Sequence, residues 1–253
     1  MTESKTISSP SVWYFIAITA AYSGLQYFTT SPALRMMITL GYFLAIIIVQ
    51  FFLNLNVAHQ LCGGSQYGTA ALVTFIPWFL IFGLLKMMLT VFPGWLSPFS
   101  NTLGYMVASL AGVRGTLDSI LKPKITGSPN AKASANALEH IYNDPSLLIN
   151  EITPRNFDNF WETMKSGGLF KSEADSHKSA LRKLVRLKDI VSEFVWFVMA
   201  GSLVASISFN FMLNKTCSLN AEEIKNNVKK ADTKRADEAK EDKQPPRVYS
   251  SYE

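Results

Sequence analysis

Formal charge is nearly missing from the first half of this 253-residue chain. Between Thr6 and Val113 only Arg35 and Lys86 carry any. A water-soluble domain of that length needs a charged surface, so the scarcity excludes an ordinary cytosolic enzyme and points to embedding in lipid. Charged residues are 17% of the whole and hydrophobic residues 48%, against about 25% charged in a typical soluble domain. Cysteine is scarce as well. Cys62 and Cys217 make at most one bridge, which excludes a disulfide-built scaffold. Catalytic signatures are missing too: the chain has no HExxH, GxGxxG, GxxxxGK(S/T) or CxxC. The string GGSQY at 63–67 departs from the GxSxG nucleophile elbow at its last position. His59 and Cys62 are two ligands, and a zinc site needs more; they read as loop residues near the headgroups. His140 and His177 are isolated in polar segments. No catalytic, cofactor-binding or metal-ligating residue is therefore assigned, no cofactor is expected, and the expectation is that the chain is not an enzyme. The net charge of +5 is modest and needs no nucleic acid to explain it.

What the chain does have is a set of apolar runs. About 20 apolar residues cross the ~30 Å hydrocarbon core as a helix. Residues 12–30 form a polar-tinged but uncharged first candidate, read as a retained span and not a signal peptide. Residues 36–53, 69–92 and 190–213 are strongly apolar. Residues 95–113 are uncharged but hold Pro98 and Asn101, so they read either as a short span or as a re-entrant or interfacial segment. The expected fold is all-α: four transmembrane helices, or five, a short polar N-terminal segment over 1–11, a small extramembrane helical domain at 114–188 and a disordered tail at 214–253. A four-span layout places Arg35, Arg114 and the basic cluster before the last span on one side, as the positive-inside bias favours.

The region 114–188 carries helix signals. Thr153 reads as an N-cap with Pro154 in the first turn, and Gly167 and Gly168 as the stop. Phe157, Phe160, Trp161 and Met164 fall on one helix face and are a candidate interaction face; packing in a small core or on the membrane surface is the competing reading. A second helix is expected over 131–142 with Leu138, Ile141 and Tyr142 on one side. A third runs from about Ser172 into the last span, with Leu181, Leu184 and Val185 as its stripe. The tail balances nine Lys/Arg against eight acids and reads as a solvated polyampholyte.

Several residues suit a membrane setting. Lys178, Arg182, Lys183, Arg186 and Lys188 precede the last span and fit anionic headgroups. Trp13 and Trp95 suit the interface. Lys86 is the one charge inside a strong span; snorkelling to the edge is the first reading and a pore or relay the second. Gln26, Gln50 and Asn210 suit interhelical hydrogen bonds. Glu193 is the one acid near the start of the last span.

Five strings carry a resemblance: NVAHQLCGGSQYGTA at 56–70, PWFLIFG at 77–83, FPGWLSPFSNTLGY at 92–105, LLINEITPRNFDNFW at 147–161 and KDIVSEFVWF at 188–197. Together and in this order they resemble a membrane-protein family of nucleocytoplasmic large DNA viruses, especially algal ones, over about residues 50–215. The resemblance implies a structural protein of the virion's internal membrane, with a host membrane as its site during assembly. The lipid bilayer, minor capsid or other virion membrane proteins and a second copy of the chain are the expected partners. It brings no catalytic residue. A channel or transporter and a membrane-remodelling assembly factor are the alternatives.

Overall fold

The structure is a computed structural model that describes residues 5–62, 67–123, 131–215, 225–226 and 228–235. Among them every regular element is helical, apart from one isolated bridge between Leu121 and Phe170. Helix α1 covers Lys5–Phe28 and α2 Pro32–Cys62. The long helix α3, Tyr67–Val91, is wound as a π-helix over Phe75–Phe82. Pro77 lies in that stretch and cannot donate to the preceding turn, which accounts for the rewinding. Helix α4 (97–110) follows a 3₁₀ turn at Pro93–Leu96 and itself contains a π stretch, Ser100–Gly104. Then come α5 (Val113–Ile120), α6 (Ala131–Asn143), α7 (Ser146–Ile149), α8 (Phe157–Ser166) and α9 (Ala174–Lys215).

Among the described residues, three helices are long and apolar enough to cross a membrane: Pro32–Leu61, Tyr67–Val91 and Ala174–Met212. This is fewer than the four or five expected from sequence. Helix α1 is the difference. It is free of formal charge from Thr6 to Phe28 but diluted by Ser, Thr, Tyr and Gln. The run 97–110 is about 21 Å long at the helical rise of ~1.5 Å, shorter than the hydrocarbon core.

The surface pattern of α2 is that of a lipid-facing helix. Leu40, Leu44, Ile48 and Phe52 recur every four residues and are each more than half exposed. The opposite stripe, Tyr42, Ile46, Gln50, Asn54 and Ala58, is buried. An exposed apolar stripe of this length is costly in water and costs nothing in hydrocarbon.

Contacts divide the chain into two units. The first comprises 1–16, 43–83 and 201–253. Within it Phe15 is fully buried against Trp78 and Phe82, with ring centroids 5.2 and 5.7 Å away. Gln50 is buried and bonded twice to Ser11: it accepts from the hydroxyl at 2.6 Å and donates to the carbonyl at 3.1 Å. Residues 228–235, inside the stretch expected to be disordered, are helical. Val228 is the reason: it packs on Ala58, Leu61, Val73 and Met212. Apart from 225–226, the remainder of 216–253 lies outside the described residues, as do Cys217 and the 63–66 part of GGSQY, so the cysteine pairing does too.

The second unit comprises 17–42 and 84–200 and holds the helices of the 114–188 region. Its core gathers Val113, Leu117, Ile120, Leu138, Ile149, Phe157, Trp161, Leu181 and Val185. The face read from sequence as a candidate interaction surface is this core. Phe157 and Trp161 are fully buried and Phe160 and Met164 pack against the cluster. The indole of Trp161 sits 4.6 Å from the Phe170 ring and donates to Asp175 at 3.1 Å. Helix α8 begins three residues later than Pro154 suggests. Thr153 and Asn156 instead close a turn on each other, with Thr153 N–H donating to Asn156 Oδ1 at 2.7 Å and Asn156 N–H to Thr153 Oγ1 at 3.3 Å. Its end is a Schellman cap. Gly168 takes φ +68°, its N–H donates to Lys165 and that of Leu169 to Met164.

Asp158, in the first turn of α8, is paired with Arg182 and with Lys178 at 3.4 Å. The Arg182 guanidinium bonded to it holds its carboxyl below the usual carboxylate range. A depressed carboxyl contributes stability that is complete above its unfolded pKa, near 4, and is lost as pH falls through its folded value. Thermal unfolding of the module between about pH 6 and about pH 3 should therefore show an acid-dependent loss that is smaller in Asp158→Asn. An unchanged pH dependence in that variant would mean the pair adds nothing, as exposed pairs often do.

Candidate functional site

The basic cluster before the last span is expected on headgroups. The structure pairs most of it with groups of the protein itself. Lys178 pairs with Asp158 and Glu162 and lies 5.5 Å from the Trp161 ring. Arg182 pairs with Asp158 and covers Phe157 at 4.5 Å. Arg186 donates to the backbone carbonyls of Gln26 and Thr29, at the end of α1 where carbonyls lack helical partners. Arg35 assists by donating through Nε to Thr29 at 3.0 Å. Lys188 is a correction of the headgroup reading: it is 1% exposed and its ammonium donates to the Ile149 carbonyl at 2.7 Å. Helix periodicity places Lys188 on the same face as the buried Leu181 and Leu184, so it cannot reach a bilayer surface. Lys183 is exposed and makes no ion pair among the described residues. Trp13 is 68% exposed, Trp95 less so. Asn210, expected between helices, faces outward on α9.

Lys86 is the second correction. It does not snorkel. It forms an ion pair with Glu193 of α9 and lies 4.7 Å from the centre of the Phe197 ring. A polar network from the same unit surrounds this pair. Tyr22 and Tyr42 stack at 4.2 Å, and Phe197 lies against both. The Thr19 and Tyr42 hydroxyls are 3.0 Å apart, and Gln26 donates to Thr39 Oγ1 at 3.0 Å. These pairings bond the polar residues of α1 to α2.

Beside the pair lies a cavity of about 450 Å³, wholly within the second unit. Arg35, Lys86, Arg155, Asp189 and Glu193 line it, with Pro93, Gly94, Leu96 and Ser97 of the 3₁₀ turn region and Thr153 and Pro154 of the turn before α8. Five formal charges thus converge from four separate stretches of chain. Two of them cancel as the Lys86–Glu193 pair. Arg155 and Asp189 make no ion pair among the described residues, nor does Arg35. Phe92 and Trp95 stack at 5.7 Å nearby, and Trp95 approaches Trp196 at 6.3 Å.

No protein family, curated protein or solved structure matches this chain. Arg155 and Asp189 are the cavity residues that sequence reasoning missed. One signal was present: Asp189 and Glu193 are four apart on α9, so both carboxylates share a helix face. Nothing in the sequence pairs that face with Lys86 or Arg35, which are more than a hundred residues away.

Proposed function

We propose that this chain is a structural membrane protein with four crossings, α1, α2, α3 and α9, that holds a helical module against the bilayer. One observation carries the reading. Helix α9 is a single 42-residue element, about 63 Å long at the helical rise, twice what a bilayer core requires. Its first turns bury Leu181, Leu184 and Val185 in the module core, while Met199 and Leu203 further along are exposed apolar residues. One helix thus supplies both part of the module core and an exposed apolar stretch.

Two facts support four crossings over five. Arg186 of α9 bonds the carbonyls at the end of α1. Arg35 shares a cavity with Arg155 of the module. Both favour a common membrane side for the α1–α2 turn and the module, as the positive-inside rule does. The resemblance to proteins of large DNA viruses is the ground for assigning the internal membrane of a virus particle, with minor capsid proteins as partners. The charged cavity favours a second reading, a channel or transporter.

Purified particles stripped stepwise with mild detergent test the proposal by quantitative mass spectrometry. A fixed, high copy number that stays with the capsid shell after lipid removal is expected. Few or no copies, together with ion flux in proteoliposomes that changes in Lys86→Met, would put the transport reading in its place.

A further inference from the structure

We propose that the cavity binds the headgroup of an amine-bearing glycerophospholipid, of the ethanolamine or serine type. The inference rests on the reading of the chain as membrane-embedded. The shared chemistry of such ligands is a phosphate diester joined by two carbons to a primary ammonium.

The charges left after internal pairing match that chemistry. Lys86 and Glu193 neutralise each other. Arg35 and Arg155 remain as cations and Asp189 as an anion. Guanidinium groups present paired N–H donors that fit phosphate oxygens. A carboxylate accepts from an ammonium but repels a phosphate, so Asp189 would be out of place in a site for a purely anionic headgroup. With the phosphate on the arginines, the ammonium two carbons away meets the carboxylate. The choline group has no N–H to donate, so it fits Asp189 less well.

Position and size agree. A volume of about 450 Å³ lies in the range of small-molecule sites. Phe92 and Trp95 beside it are 48% and 44% exposed, the half-wet setting aromatic side chains take at the headgroup level. Val91 and Leu34, next to the lining residues in sequence, are exposed apolar residues and offer acyl chains a surface. Arg35 is already steadied by its bond to the Thr29 carbonyl, which lowers the ordering cost of binding.

The test is lipid retention by the full chain, reconstituted in nanodiscs with equal amounts of phosphatidylethanolamine, phosphatidylserine, phosphatidylcholine and phosphatidylglycerol, then extracted and read by native mass spectrometry. The expected result is about tenfold enrichment of the two amine lipids over phosphatidylglycerol, the factor that one charge-assisted hydrogen bond supplies. Asp189→Asn should erase that preference while keeping phospholipid retention. Arg155→Ala, at an exposed position in a turn, should lower retention of every phospholipid. Retention at bulk proportions by the wild-type chain would overturn the inference, as would a preference unchanged in Asp189→Asn. Soluble glycerophosphoethanolamine is the control for source, and displacement of the lipid at equal concentration would overturn the lipid assignment. Resistance of the same samples to alkaline carbonate reports membrane embedding separately. A chain that stays embedded but shows no preference sinks the headgroup site alone.

Discussion

Replacing Glu193 with Leu should lower the unfolding free energy by about 2–4 kcal/mol, because it strands the Lys86 ammonium between helices. Removal of one partner of a fully buried pair costs about 3–5 kcal/mol. Here each side chain keeps 22% of its exposure, which lowers the expected cost by about 1 kcal/mol from that range. Lys86→Met should cost a similar amount, since it strands the carboxylate and also loses the contact with the Phe197 ring. The informative measurement is the double variant. Lys86→Met with Glu193→Leu leaves no unpaired charge, and replacement of an ion pair by apolar groups of similar size is often close to neutral. Thermal unfolding in detergent micelles of the four proteins closes the cycle. Strong coupling, with the double variant within about 1 kcal/mol of wild type, is the expected result. If the two losses simply add, Lys86 reaches water when its partner is removed, and snorkelling returns as the better account of this residue.

A second large effect is expected at Gly104. A methyl group there would fall far inside contact distance of the Lys188 backbone carbonyl oxygen and 3.2 Å from Lys188 Cγ. The obstacle is backbone, so the side chain cannot evade it by changing rotamer. Helix α4 must move off α9, and Lys188 would lose its buried bond to Ile149. Gly104→Ala should destabilise by about 1–3 kcal/mol, the usual cost of overpacking. Gly115→Ala is the matched control. It lies in α5, exposed, with nothing near its missing Cβ, so it should be neutral or stabilise by up to about 1 kcal/mol through helix propensity. A Gly104→Ala protein that melts with wild type would mean that α4 and α9 are not in close contact there.

Much of the local structure was readable residue by residue. The pair Gly167–Gly168 announces the end of α8 because only glycine takes φ +68° without cost. The uninterrupted helical pattern from Ser172 onward announces α9, since no Pro or Gly breaks it before Gly201. The stripe Leu181, Leu184, Val185 announces a buried face. Other readings failed for identifiable reasons. Pro154 looked like a helix start, but Thr153 and Asn156 bond to each other and delay the helix to Phe157. Val228 is too isolated in a charged tail to signal a packed helix, and much of what it meets, Leu61 and Val73, is remote in sequence.

The amino-acid pattern alone marks this chain as helical, rich in apolar residues and suited to a bilayer. That follows because charge depletion and helical periodicity are local properties that any stretch of chain displays alone. The fate of its charges was decided only by tertiary structure. Lys178, Arg182, Arg186 and Lys188 read as one basic patch, yet three of them face acids or carbonyls that come from other helices, and Lys188 is buried outright. Lys86 reads as a lone cation until α9 brings Glu193 to it. A charge is defined by its neighbours, and in a helical protein those neighbours are set by how helices far apart in sequence pack together.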